Sequence, residues 1–288
     1  MSVQRTIRHF AIAACIVCIS GASSRLAAQS STGPQTPPKS PNVVRIPTTP
    51  VPDTPPIPSD EIIRRFAAHE DEFARARAGY TYRKVVRVEE MGADGKPTGQ
   101  AEVTAVPVTA SDGTRAQRST GGQDSTLKVL SLERDALEAL ANIPAFPLVT
   151  AQLSKYEIVY VGTQPLDELT TYAFRVTPKQ IERVHAYFSG LVWVDNHDLA
   201  IVKTYGRWVT ETGDVSPPQL PFTMYETYRQ PVSNKYWLPA YSRSDSSAGT
   251  KNGGVQVRLV IRWDNYTPIS EGSSAPSAPA EPANNSPR

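Results

Sequence analysis

The chain has 288 residues, 39% of them hydrophobic and 20% charged, enough apolar material for a real core and too much for a chain disordered throughout. Lys and Arg number 30 against 28 Asp and Glu, a net charge of +2, and the first 28 residues hold three of those arginines and no acid. The rest of the chain is therefore close to neutral, which is no polybasic surface, and nucleic acid is not expected as a partner.

Residues 1–28 read as an export signal. Arg5, Arg8 and His9 form a basic start, Phe10 to Ala22 is an apolar run, and Leu26-Ala27-Ala28 offers small residues before Gln29. The run is too short for a transmembrane helix, which takes about 20 apolar residues. The expectation is secretion across the inner membrane into the periplasm. An alternative is lipid anchoring at Cys15, since Ile12-Ala13-Ala14-Cys15 resembles a lipobox. Cys15 and Cys18 also spell C-x-x-C, but both lie in the segment to be removed. The mature chain then has no cysteine and must fold on its core alone.

Of the 26 prolines, ten fall in residues 29–60 and four in residues 271–288, leaving 12 for the 210 residues between. Residues 29–58, rich in Pro, Thr and Ser, read as a disordered linker, and 271–288 as a disordered Ser/Ala/Pro-rich tail. One domain, 59–270, lies between them.

The domain opens with a helix. Pro58, Ser59 and Asp60 start it, Ile62, Ile63, Phe66 and Phe73 form one stripe, and Gly79 ends it. From Tyr80 the period becomes two: Tyr80–Glu90, a turn at Asp94-Gly95, Gln100–Val108, a turn at Asp112-Gly113 and a poorly patterned strand. Ser131 then caps a second helix carrying Leu132, Ala136, Leu140 and Ile143, which Pro144 and Pro147 break. Seven strands complete the domain: Tyr156–Val161, Thr171–Val176, His185–Asp195, Leu199–Val209, Phe222–Arg229, Tyr236–Ser242 and Gln256–Tyr266. Even spacing and few helices predict a long antiparallel meander. The fold class is α+β, one large curved antiparallel sheet with helices whose apolar stripes must be buried.

No motif for catalysis stands out. G-x-S-x-G, H-E-x-x-H and a phosphate loop followed by lysine are all missing. Gly92-Ala93-Asp94-Gly95-Lys96 is too short for the last and sits at a hairpin turn. Ser125-Thr126-Leu127-Lys128 satisfies S-x-x-K without the K-T-G partner. His69, His185 and His197 are far apart, and Asp195, His197 and Asp198 read as a solvated turn between strands rather than a metal site. Asn265-Tyr266-Thr267 is a sequon by chance. No enzyme, no cofactor and no metal is expected.

The distinctive stretch is Phe188-Ser189-Gly190-Leu191-Val192-Trp193-Val194-Asp195 followed by Asp198-Leu199-Ala200-Ile201-Val202-Lys203, with Glu226-Thr227-Tyr228-Arg229 and Lys235-Tyr236-Trp237-Leu238-Pro239 further on. This hairpin, with the Y-W-L-P two strands later, resembles the outer-membrane lipoprotein-sorting group, similar to the periplasmic carriers LolA and LolB. The opening helix followed by Tyr80-Thr81-Tyr82-Arg83 fits the same pattern, and the likeness covers about residues 60–270. It implies a half-open β-barrel whose concave apolar face is covered by helices and holds acyl chains. The core is longer than a minimal carrier of this fold and shows no lid or protruding-loop motif.

On that implication the cavity walls are Phe66 and Phe73 on the first helix, Leu137 and Leu140 on the second, Phe146 just beyond, and Leu191, Trp193, Trp237 and Trp263 from the sheet. The partner is then an acyl chain of a lipid or lipoprotein, and the protein a monomer. The alternative is an envelope interaction or sensor module, in which the same fold presents edge strands or tails to a protein.

Overall fold

The computed structural model describes residues 49–109, 115–132, 136–137, 146, 148–182, 185–211, 213–214, 221–250 and 253–269. All belong to one unit of the chain, Gly33–Arg288. The predicted export segment, the tail from 271, Asp112-Gly113, Leu140, Ile143, Pro144 and Pro147 lie outside the described residues.

Helix α1 spans Ser59–Ala78. Asp60 and Glu61 in its first turn and Arg75 and Arg77 in its last match the helix dipole at both ends. The Gly79 N–H returns to the Ala76 carbonyl at 2.9 Å. The stripe Ile62, Phe66, Ala67 and Phe73 is buried, and Glu70 lies buried within it. Of the second helix, Ala136 and Leu137 are helical, Ser131 and Leu132 are not, and its remaining positions fall outside the described residues. A short 3-10 helix, Thr150–Lys155, leads into the second half of the sheet.

The strands are β1 (Tyr80–Met91), β2 (Pro97–Thr109), β3 (Arg115–Gln123), β4 (Tyr156–Leu166), β5 (Leu169–Pro178), β6 (Tyr187–Asp195), β7 (Ile201–Thr210), β8 (Gly213–Asp214), β9 (Tyr225–Val232), β10 (Tyr236–Thr250) and β11 (Gly253–Pro268). They run in the order β3-β2-β1-β11-β10-β9-β7-β6-β5-β4, with β8 beside β7 and every pairing antiparallel. The order begins at β3 and ends at β4 without joining them, so the curved sheet is a half-open barrel and the fold is α+β. Most neighbours in space are neighbours in sequence, as short hairpin turns require. The exceptions are β7 with β9, which skips the two-residue β8, and β1 with β11, paired from Tyr80↔Pro268 to Met91↔Gln256, which ties the first strand of the sheet to its last.

The turn at Asp94-Gly95 is as the sequence predicts: Gly95 has φ 74° and the Asp94 carboxylate accepts the Lys96 N–H at 3.1 Å. Pro239 of the Y-W-L-P run lies within β10, where the ladder to β9 slips between Pro239 and Tyr241. A residue with no N–H is tolerated at such an irregularity.

Strand alternation gives the sheet two unlike faces. On β1 the even residues Tyr80, Tyr82, Lys84, Val86, Val88 and Glu90 are all buried, and this inner face carries two apolar clusters and, at Tyr80, part of a third. One packs α1 through Ile62, Phe66 and Ala67 onto Phe174, Val176, Val192, Val194 and Ile201. The other gathers Tyr82, Val86, Val103, Leu259, Ile261 and Trp263 at the other end of the sheet. The outer face is laced with charge: Arg87 pairs with Glu102 across strands at 2.6 Å, Arg258 with Asp245 at 2.8 Å and Lys203 with Glu226 at 2.7 Å.

The last residues of the Pro/Thr/Ser stretch are held against the body. Val51 exchanges two backbone hydrogen bonds with Thr163 of β4, at 2.9 and 3.0 Å, Asp53 accepts from the Tyr160 and Thr163 hydroxyls, and Ile57 packs on the helix cluster. One edge of the sheet is thereby covered.

Candidate functional site

The inner face is covered by two different means. Over β5, β6 and β7 lies α1, whose Phe66 meets Phe174 edge-on at 5.7 Å. Next along its stripe, Glu70 forms a two-point ion pair with Arg229 of β9, with Nη2 3.0 Å from Oε2. Both side chains are buried, at 0% and 1% exposure. Arg229 Nη1 also donates to the Ile201 carbonyl at 3.3 Å, and the guanidinium lies 4.9 Å from the Phe146 ring. A buried charge pair holds only when its hydrogen bonds are largely satisfied, and here it fastens the helix to the middle of the sheet.

Over β1, β2 and β11 the cover is a strap of chain. Leu127, Leu130, Leu132, Ala136 and Leu137 rest on the second cluster, together with Phe222 and Tyr225. The strap is held by Glu90, whose carboxylate accepts the N–H groups of Lys128, Val129 and Leu130 at 2.9, 2.7 and 2.8 Å. Burial works against the charge on Glu90, but the N–H groups of Leu130, Lys128 and Val129 outweigh it and hold the carboxyl below its usual range. Between the two covers the inner face carries small side chains: Thr204, Thr227, Ser242 and Ser244 follow one another across β7, β9 and β10.

An aromatic row runs from the end of α1 into this region. Phe73, Tyr236, Tyr80, Tyr266 and Tyr82 meet in succession, with ring centres 6.0, 6.4, 6.2 and 5.2 Å apart. Beside it, the Arg77 Nη2 donates to the Tyr82 hydroxyl at 2.6 Å, as does the Gln117 amide at 3.0 Å. Lys84 projects next to Tyr82, directly opposite Trp263 of β11, with Nζ 5.0 Å from the indole. First burial and then the charge of Arg77 push this lysine down to about 7.

No family model matches the chain, and no curated protein does. Several solved structures are similar to it. A DUF1329 family protein from Desulfovibrio piger is 13% identical over 73% of this chain and 95% of that one, with a TM-score of 0.33. A putative outer membrane lipoprotein-sorting protein domain from Vibrio parahaemolyticus is 10% identical over 69% and 92%, also with a TM-score of 0.33. MucB in its complex with MucA from Pseudomonas aeruginosa is 12% identical over 74% and 99%, with a TM-score of 0.22. The chain is thus similar to structures that include a lipoprotein-sorting domain, the group its hairpin motif resembles. Likeness of this degree leaves the function to be argued from the chain's own residues.

The eight described wall residues fall in three apolar clusters. Phe66 lies in the helix cluster, Leu137 and Trp263 lie in the strap cluster, and Phe73, Trp193 and Trp237 fall in a third, with Phe146 and Leu191 packed against it. Leu140 is outside the described residues. Leu191 and Trp193 alternate with Val192 and Val194, which pack with Phe66, so the pair projects from the opposite face of β6. There Trp193 lies under the Lys203 ammonium at 4.8 Å and donates to Gln164 at 2.9 Å.

The Asp195, His197 and Asp198 side chains come within 4.8 Å of one another. Within the turn Asp195 Oδ2 accepts the His197 and Asp198 N–H groups at 3.1 and 2.7 Å, and Asp198 accepts the Trp237 indole N–H at 3.0 Å. The geometry is that of a hydrogen-bonded turn joining β6 to β7. Sequence reasoning passed over Lys84, Arg77, Glu70 and Glu90, and named Arg229 only as part of a motif. The available signal was charge at inward positions of otherwise apolar rows: Lys84 and Glu90 share the even register of β1 with Tyr82, Val86 and Val88.

Proposed function

We propose that the protein is a non-catalytic component of the bacterial envelope, exported to the periplasm, that binds the acyl chains of a lipid or lipoprotein on the inner face of its half-open sheet. The observation that carries this reading is the unequal cover of that face. The helix is fastened by a buried ion pair, whereas the apolar cluster of β1, β2 and β11 lies under a strap held by the Glu90 carboxylate and, at its start, by Thr126 on Gln100. A face that must admit and release a chain needs a cover that can lift. The driving force is large: at about 0.8 kcal/mol per methylene, a sixteen-carbon chain gains roughly 12 kcal/mol by leaving water. No catalytic group is needed to deliver that.

A second reading, an envelope interaction or sensor module, is favoured by the edge at β3. Among the described residues β3 pairs only with β2, so its far side is open to an added strand. Native mass spectrometry of protein purified from a periplasmic extract separates the two. A mass increment that solvent extraction resolves into phospholipid or acyl species is the expected result; a clean apo mass under gentle conditions overturns the lipid reading in favour of the second. The same spectrum shows whether the mature chain begins at Gln29 or at a lipid-modified Cys15.

A further inference from the structure

Near the last turn of α1 the strap cluster borders a group of hydrogen-bond donors, at the opposite end of the β1 row from Glu90. Lys84 is 2% exposed, and what acts on its charge is burial and Arg77; no acidic side chain among the described residues neutralises it. Arg77 Nε and Trp263 Nε1 are buried without a hydrogen-bond partner. Tyr82 accepts from both Arg77 and Gln117, which leaves its own proton to donate. The Arg77–Tyr82 and Lys84–Trp263 pairs thus stand side by side, two cations and two neutral donors with no acidic side chain among the described residues to balance them, an arrangement whose cost an anion would offset. Gln117 Oε1, also buried without a partner, is an acceptor suited to a hydroxyl or a water beside that anion.

The neighbours decide what kind of anion. Lys84 is bracketed on the inner face of β1 by Tyr82 and Val86, and beyond them Val103, Leu259 and Ile261 continue the apolar cluster. Arg77 and Gln117 are only half buried, so this end faces the solvent side of the cover. Head and tail are therefore provided side by side: a charged end near the rim and an apolar strip leading inward.

We propose that Lys84, Arg77, Trp263 and Tyr82 form the site for the anionic headgroup, a carboxylate or phosphate, of an acyl amphiphile whose chain lies on the strap cluster. This rests on the lipid-binding reading above and gives it a ligand class. The ammonium and guanidinium attract the charge, the indole and phenol orient it, and their hydrogen bonds to an anion are of the strong, charge-assisted kind.

Calorimetric titration of the purified chain with laurate, dodecyl phosphate, dodecanol and inorganic phosphate tests the assignment. Laurate and dodecyl phosphate are expected to bind about tenfold tighter than dodecanol, the same tail without the charge. In Lys84→Met that preference should shrink to about threefold or less, and Arg77→Gln, at a half-exposed position that tolerates change, should reduce it as well. Circular dichroism confirms that each variant is folded. Equal affinity for laurate and dodecanol overturns the headgroup site while leaving the lipid reading intact, and so does a preference unchanged in both variants. Inorganic phosphate binding as tightly as dodecyl phosphate would make the site one for a free anion and overturn the proposal. If neither laurate nor dodecanol binds, the lipid reading itself fails and the headgroup site with it.

Discussion

Glu90 shows how one side chain can control a whole segment. Three consecutive N–H groups converge on its carboxylate, so its charge shares the work of fixing Lys128, Val129 and Leu130 against the sheet. Replacing it by Gln keeps the shape and removes the charge, which should lower stability at neutral pH by about 1–2 kcal/mol. The sign of the pH dependence follows from a carboxyl held below its ordinary value of 4.5. Its contribution is complete above the unfolded-state value and is lost as pH falls through the folded-state one. Urea melts of wild type and Glu90→Gln should therefore differ at pH 7 and converge in acid. A gap that widens in acid would contradict this account. Glu70 and Arg229 make the complementary case, because neither is solvated. Arg229→Met alone should cost about 3–5 kcal/mol by stranding the Glu70 carboxylate, and adding Glu70→Leu should recover most of it. Denaturant midpoints of the single and double variants give the answer; equal losses would show that packing rather than charge fixes the helix.

At the scale of elements, what matters is how each segment finds its partner. The stripe of α1 is legible in the sequence because Ile62, Phe66 and Phe73 repeat at helical spacing, and they are buried as that spacing requires. The strands are legible for the same reason, although β10 and β11 extend well past the apolar stretches that announce them. Beyond Ser244 the β10 sequence is polar, and its ladder with β11 supplies the order that side chains do not. The arm at Val51 could not be read at all. It is a single bridge in a proline-rich segment, and it depends on Gly162, whose φ is 137° and whose missing Cβ would lie 2.2 Å from the Val51 carbonyl. Gly162→Ala should therefore displace the arm and cost about 1–3 kcal/mol, since both the clash and the backbone conformation oppose a side chain. Hydrogen exchange at Val51 and Thr163 reads this directly; protection equal to wild type would mean that the arm is held by Asp53 and Ile57 instead.

For the molecule as a whole, cover and sheet have different roles. The sheet is continuous and antiparallel from β3 to β4, and its outer face carries cross-strand ion pairs. The inner face is where function must be sought. Its two apolar clusters lie at either end, with small hydroxyl-bearing side chains between them. A ligand-bearing state should protect the strap amides 128–130 more than the amides of α1, because the helix is already fastened by its ion pair.

The sequence by itself determined the opening helix, the succession of strands and the dearth of catalytic motifs. Each of these is local, read from periods of two or 3.6 and from turn residues within a few positions. Only the tertiary structure decided which face each strand turns inward and which charges meet there. Leu191 and Trp193 look like a wall in the sequence, yet the same alternation that pairs them turns them away from Phe66. Glu70 and Arg229 are 159 positions apart, and Lys84 meets Trp263 only because the first strand pairs with the last. Such meetings are set by the register of long-range ladders, and no local period encodes that register.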